Sequence, residues 1–237
     1  MNRNRIRELR SREIINGRGV PAVEVEIQTE NGILSRASAP SGISVAYHEA
    51  VEIRDGGSRF GGKGVLRAVQ NIASVIAPAI IGMDITHQDE IDRTLIALDG
   101  TANKSKLGGN ALTAVSLAVA KAGAASQGTD LFKYIGGIKT KSIPAVCLNM
   151  ISGSPTAGNE LDFEDYLLAP YDFESFQDLL RASIEVFHIL HKNLEKKFGL
   201  IAQITALAPP LKTNESAFEF IIEAINLAGY EGRIGVG

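Results

Sequence analysis

"AVEVEIQ", residues Ala22–Gln28, alternates without a break: Val23, Val25 and Ile27 fall on one side, Glu24, Glu26 and Gln28 on the other. A two-residue period sends one row of side chains into a core and the other toward water, the pattern of a half-buried antiparallel strand. Asn31-Gly32 follows and suits the left-handed backbone of a hairpin turn, with "ILSRASA" as the returning strand. Residues 5–39 therefore read as a small meander.

From Gly64 the period lengthens. Val65, Val69, Ile72 and Ile76 recur at helical spacing up to Pro78. In "THQDEIDRTLIALDG" Thr86 stands three residues before Asp89, as in a capping box. Ile91, Leu95 and Leu98 form its apolar stripe, and Gly100 is a natural stop. "NALTAVSLAVAKAGAAS" is rich in small residues and reads as a buried helix. A three-stranded meander followed by helices makes an α+β domain over residues 1–141.

Residues 142–237 form a second unit. "SIPAVCLNMISG" reads as a strand, and a long helix after Asp172 is expected to turn Phe176, Leu179, Leu180, Ile184, Phe187 and Leu190 inward. "IAQITALAPPL" gives a short strand and a proline-stopped loop. Ser216–Ala228 is an amphipathic helix (Phe218, Ile221, Ile222, Ile225), and "GRIGVG" opens another strand.

Hydrophobic residues make up 45% and charged residues 22%, with a net charge of −3, so neither disorder nor nucleic-acid binding is indicated. The local excess of Arg3, Arg5, Arg7, Arg10 and Arg12 is expected to be solvated or to face acids of a partner subunit. Cys147 is alone, which excludes a disulfide framework. No apolar run approaches the roughly 18 residues of a membrane span, so a cytoplasmic protein is expected. "LGGNA" (Leu107–Ala111) lacks the Lys-Ser of a phosphate loop. His188 and His191 have zinc-compatible spacing, but with no third ligand nearby they read as helix packing. His48 reads as structural.

Several stretches together carry a stronger signal. "REIINGRGVPAVEVEI", "APSGIS", "HEAVEIRDGG", "FGGKGVLRAVQNI", "LDGTANKSKLGGNALTAVSLAVAKAGA", "LNMISG", "EVFHIL" and "EAINLAGYEGRIG" occur in one order across nearly the whole chain. In that order they resemble the enolase family, lyases that dehydrate 2-phosphoglycerate to phosphoenolpyruvate in glycolysis. The resemblance implies an α+β cap domain, the start of a β/α barrel, Mg²⁺ and a homodimer. It makes Ser41, Gly42 and Ser44 part of a mobile loop, with Ser44 as a magnesium ligand. It places a catalytic role at Asp165 and substrate binding at Glu164 and Thr156.

The chain also departs from the family pattern. Thr156 stands where the resemblance puts a substrate-binding histidine, and Glu164-Asp165 where it puts Gln-Glu. Threonine cannot carry charge, and aspartate is one methylene shorter than glutamate. Val45, Ala46 and Tyr47 replace small residues after the loop serine, which stiffens a hinge. No carboxylate lies between Gln203 and Leu211, where an acid loop is expected, and a missing general acid costs about 10²–10⁴-fold. Gly237 falls where the first magnesium aspartate belongs, and residues 142–237 are far fewer than the roughly 250 of a full barrel.

These residues alone are therefore expected to be inactive. Three readings stand: an enolase whose remaining sequence is absent from this chain, a degenerate homologue serving as a non-catalytic interaction module, and a partner subunit completing its fold by oligomerisation.

Overall fold

The computed structural model describes residues 4–43, 45–137, 140–203 and 206–237, without the side chains of Pro155 and Thr156. The chain divides into two compact units, Met1–Lys141 and Ser142–Gly237. Each is described by itself.

In the first unit, β1 (Ile6–Ile15), β2 (Pro21–Thr29) and β3 (Leu34–Ala39) form an antiparallel sheet in the order β1-β2-β3. Val23, Val25 and Ile27 are fully buried, as the alternation requires. The opposite row of β2 meets cations. Arg12 pairs with Glu24 in register, and Arg36 with Glu26. The Arg12 guanidinium lies 3.2 Å from Glu26, which Arg36 also engages. The hydrogen bond from Arg36 is the main reason the Glu26 carboxyl sits below its ordinary range. The local arginine excess is thus answered within its own sheet for Arg10 and Arg12, the former 2.7 Å from Glu8.

The apolar spacing after Gly64 produces α1 (Leu66–Asn71), a π-helical turn (Ile72–Ile76) and α2 (Ala77–Ile80) in succession. Pro78 does not end the helix, contrary to the sequence reading. Proline has no N–H to donate, and the backbone widens just before it, with Ala77 N bonding Ile72 O. α3 (Gln88–Asp99) buries Ile91 and Leu95 and stops at Gly100, whose φ of 69° is the left-handed cap. The expected capping box does not form. Thr86 Oγ1 donates instead to Asp84 at 2.8 Å, and His87 occupies the N-cap position without a side-chain bond.

α4 (Gly109–Ser126) is the keystone of this unit and packs on β2 and β3. Ala111, Ala114, Ala118 and Ala122 line its buried face, so its axis approaches the sheet closely. Ser35 Oγ donates to Ala118 O at 2.8 Å across that contact. α5 (Leu131–Gly136) follows, with Tyr134 lying over Gly123.

The second unit is a mixed sheet rather than a closed barrel. β4 (Leu148–Ser152) is followed by α6 (Ser154–Ala157), β5 (Asp165–Pro170), α7 (Phe176–Phe198), β6 (Ala202–Gln203), β7 (Leu207–Ala208), α8 (Asn214–Leu227) and β8 (Ile234–Val236). The strand order is β6-β7-β4-β5-β8. β5 runs antiparallel to β4 and β8, and β4 is parallel to β7.

Helix α7 corrects the sequence reading of its inward face. Leu190 is fully buried and Phe187 packs against the core, as expected, but the buried row is completed by Ala182, Val186 and Leu194, whereas Phe176, Leu180 and Ile184 are 45%, 41% and 43% exposed. Ile222 on α8 is likewise exposed at 45%.

Asp99 generates a prediction about stability. It is 2% exposed and accepts from Leu107 N at 2.7 Å, Thr101 N at 3.0 Å and the Thr101 hydroxyl. Burial pushes its carboxyl up, but these bonds and one from Lys106 N outweigh it, so the folded-state value is lowered. A lowered folded value stabilises above the unfolded pKa of about 3.9 and is lost as pH falls through the folded value. Asp99→Asn should cost about 1–3 kcal/mol at pH 7 in urea unfolding, and the difference should shrink at acid pH.

Candidate functional site

The loop after β3 starts at a fixed stem. Ser41 is 8% exposed. Its hydroxyl receives Asn16 Nδ2 at 2.9 Å, and its carbonyl receives the Arg18 guanidinium at 2.7 Å. Asn16 can reach because its own Oδ1 closes the β1–β2 connection, accepting from Arg18 N and Val20 N. Gly42 N donates to Glu52 Oε1 at 2.8 Å, and Ala46 N to Glu49 Oε2 at 2.9 Å. Between these anchors Ile43 and Val45 project outward, 65% and 89% exposed. Ser44, the expected magnesium ligand, lies outside the described residues. A cavity of about 510 Å³ lies against this loop, with Arg18, Arg54 and Lys63 on its wall beside Val20, Ile43 and Val51. His48 is exposed and meets Tyr47 edge-on at 4.8 Å.

The loop's far stem is set from α4. Asn110 is buried and grips Ile53, accepting from its N–H and donating to its carbonyl, both at 3.2 Å. Val51 N bonds Asn103 O at 2.8 Å, and Gly109 N bonds Val51 O at 2.7 Å. "LGGNA" therefore works as a contact rather than a phosphate cradle.

In the second unit the sheet brings Asp165 opposite Ser152, and the Asp165 carboxylate accepts from Asn149 Nδ2. Glu164 and Asp165 are both exposed, and the Glu164 carbonyl receives Gly153 N at 2.8 Å. Thr156 sits in α6, immediately after the β4 end, with its side chain outside the described set. Two residues of this neighbourhood were not singled out from sequence. Asn149 faces Asp165, with Oδ1 buried and lacking a protein partner. Asn159 ties Ser152 O to Pro209 O, at 2.9 and 3.1 Å. An asparagine flanked by leucine and methionine in a strand is itself unusual, which was the available signal for Asn149. Ser41 and Gly42 belong to the first unit and Glu164 and Asp165 to the second.

His188 and His191 flank Phe187, with His191 stacked on it at 6.2 Å and 3.7 Å from Glu195. Among the described residues no group of three His, Cys, Asp or Glu side chains could hold a metal.

Residues 6–135 match the enolase N-terminal domain, and residues 140–237 match the enolase C-terminal TIM barrel domain. The chain belongs to the enolase family. It is 48% identical over 230 residues to the enolase of Methanopyrus kandleri, covering 95% of this chain and 54% of that protein. Over 233 residues it is 44% identical to Methanocaldococcus jannaschii enolase, covering 97% and 55%. The Thermococcus kodakarensis enolase is 46% identical over 225 residues, covering 93% and 52%. The chain spans about half the length of the curated relatives it matches.

Family membership brings Mg²⁺ into consideration, and the donor set tests it. Magnesium asks for octahedral oxygen ligation anchored by carboxylates. The described residues of this enolase-family chain offer Asp165 already hydrogen-bonded to a carboxamide, and no cluster of acids around it. By themselves they do not fit the ion.

The glycines of the loop's far stem are the testable part of this geometry. A Cβ on Gly108 would lie 2.6 Å from Asn110 Oδ1 and 2.7 Å from Ile53 Cγ1, at a φ of 106°. Gly108→Ala is expected to cost more than about 3 kcal/mol, read as a lowered thermal midpoint, because strain and clash act together.

Proposed function

We propose that this chain provides the N-terminal domain and opening barrel segment of an enolase-type lyase, and that these residues alone do not dehydrate 2-phosphoglycerate. The observation carrying the first half is the match to both enolase domains across residues 6–135 and 140–237. The second half is supported by the residues at the site. Removing a proton beside a carboxylate builds extra negative charge, which has to be met by preorganised positive or hydrogen-bonding groups. Thr156 stands at the histidine position, no carboxylate lies between Gln203 and Leu211, and the Asp165 carboxylate is tied to Asn149.

On this reading the loop from Ser41 to Tyr47, with Gly42 and Ser44, is the substrate loop. Glu164 and Thr156 are the substrate-binding residues, and Asp165 is the surviving catalytic carboxylate. The ligands are 2-phosphoglycerate and phosphoenolpyruvate, the setting is cytoplasmic, and a second copy of the chain is the partner. Magnesium would supply charge neutralisation once further oxygen ligands joined these residues. In the described structure no helix is long and apolar enough to cross a membrane.

A second reading, a non-catalytic interaction module that completes its fold by oligomerisation, is favoured by the exposed row Phe176, Leu180 and Ile184.

Phosphoenolpyruvate absorbance, followed with purified chain and saturating Mg²⁺ after host enolase is excluded, should stay flat. Turnover within the ordinary enzyme range of about 1–10³ s⁻¹ would overturn the inactive reading. Sedimentation in the same buffer should give a dimer, and a monomer would remove the second copy as partner.

A further inference from the structure

We propose that Glu52 is a positioning residue for the loop that follows Ser41, dividing its carboxylate between the Gly42 N–H and the Arg54 guanidinium. This deepens the proposed function and rests on reading that loop as the substrate loop.

A loop that must present a side chain to a reacting molecule needs a defined point of departure, because small displacements at a site cost large factors in rate. Glu52 supplies that point here. Its Oε1 accepts from Gly42 N at 2.8 Å, and its Oε2 pairs with Arg54. The two side chains are 24% and 23% exposed, so their pairing is partly shielded from solvent, whereas the bond to Gly42 N lies at the surface. Arg54 is in turn fixed from two other segments, donating to Pro21 O at 2.7 Å and Lys63 O at 2.8 Å. Position therefore passes from the start of β2 and from the glycine-rich stretch, through Arg54, to the Glu52 carboxylate and onto the Gly42 amide.

The next residue back is held independently, since Ser41 takes its bonds from Asn16 and Arg18. Two anchors on consecutive residues fix direction as well as location. Both anchors are charge-assisted, Ser41 O by the Arg18 guanidinium and Gly42 N by the Glu52 carboxylate, and such bonds are about twice as strong as neutral ones.

Glu52 lies beside Ile53, whose backbone Asn110 holds, so its own main chain is not free to follow the loop. The carboxylate is the adjustable element. Glutamine keeps an oxygen for Gly42 while giving up the ion pair, and alanine removes both, so the two substitutions separate the functions.

Amide hydrogen exchange on the intact chain, without substrate, tests this. In Glu52→Ala the Gly42 amide should exchange roughly 10- to 150-fold faster, the loss of one charge-assisted hydrogen bond, while the amides of Val23, Val25 and Ile27 keep their rates. Glu52→Gln, which keeps an acceptor oxygen but neither the charge nor the ion pair, should recover about half of the protection at Gly42. Unchanged Gly42 exchange in Glu52→Ala would overturn the proposal. So would equal acceleration in the β2 core, because Glu52 would then act on global stability, and so would a glutamine variant as fast as alanine. No product is measured, so failure here leaves the lyase reading standing, and a failed turnover prediction leaves the anchor standing.

Discussion

Asn110 is the residue on which the first unit's working geometry depends. The stretch from Ala50 to Arg54 belongs to no strand, so its backbone groups lack the ladder partners that a sheet would provide. A buried carboxamide can both accept and donate, and Asn110 does so against Ile53, acting as a one-residue strand. For that to happen the first turn of α4 must press against this segment. Gly108 and Gly109 leave the space, since a Cβ on Gly109 would lie 2.9 Å from the Ala50 Cβ. Asp99 then holds residues 101–107 in the path that delivers Asn103 O to Val51. A buried carboxylate, two glycines and one amide thus decide where the loop after Ser41 comes back.

Much of this unit was legible because its signals are local. The unbroken alternation of residues 22–28 admits one burial pattern, and Val23, Val25 and Ile27 obey it. An alanine-rich helix has little to do except pack closely, and α4 does. The misreadings arose where two local rules competed. Thr86 could accept from a first-turn N–H of α3 as a cap or donate to Asp84 two residues back, and it donates to Asp84. Pro78 forbids one hydrogen bond, which a π-helical turn absorbs without ending the helix. The contact made by "LGGNA" depends on a segment more than fifty residues away, which no spacing rule reveals.

The second unit was less legible, and α7 shows why. Phe176, Leu180 and Ile184 keep helical spacing as faithfully as Ala182, Val186, Leu190 and Leu194 do. Periodicity marks apolar rows but cannot say which of two neighbouring rows finds a sheet to cover. Large side chains suggest the first row, yet the buried row includes alanine and valine, Ala182 and Val186. The order β6-β7-β4-β5-β8 has the same origin. Short strands such as β6 and β7 pair with whatever edge packing leaves open, and nothing in "AQ" or "LA" names a neighbour.

The chemical content divides differently from the fold. Residues that place things are present: Asn16, Arg18, Ser41, Glu52 and Asn110 make bonds on both stems of one loop. Residues that would carry charge through a reaction are thin. An exposed aspartate restrained by an asparagine raises the local negative potential, and a reaction that accumulates negative charge gains nothing from an isolated anion. Such a carboxylate becomes useful only when a cation lies between it and the reacting oxygen atoms. Among the described residues no acids are grouped to retain that cation, whereas the bonds that place the segment after Ser41 are present on both of its stems.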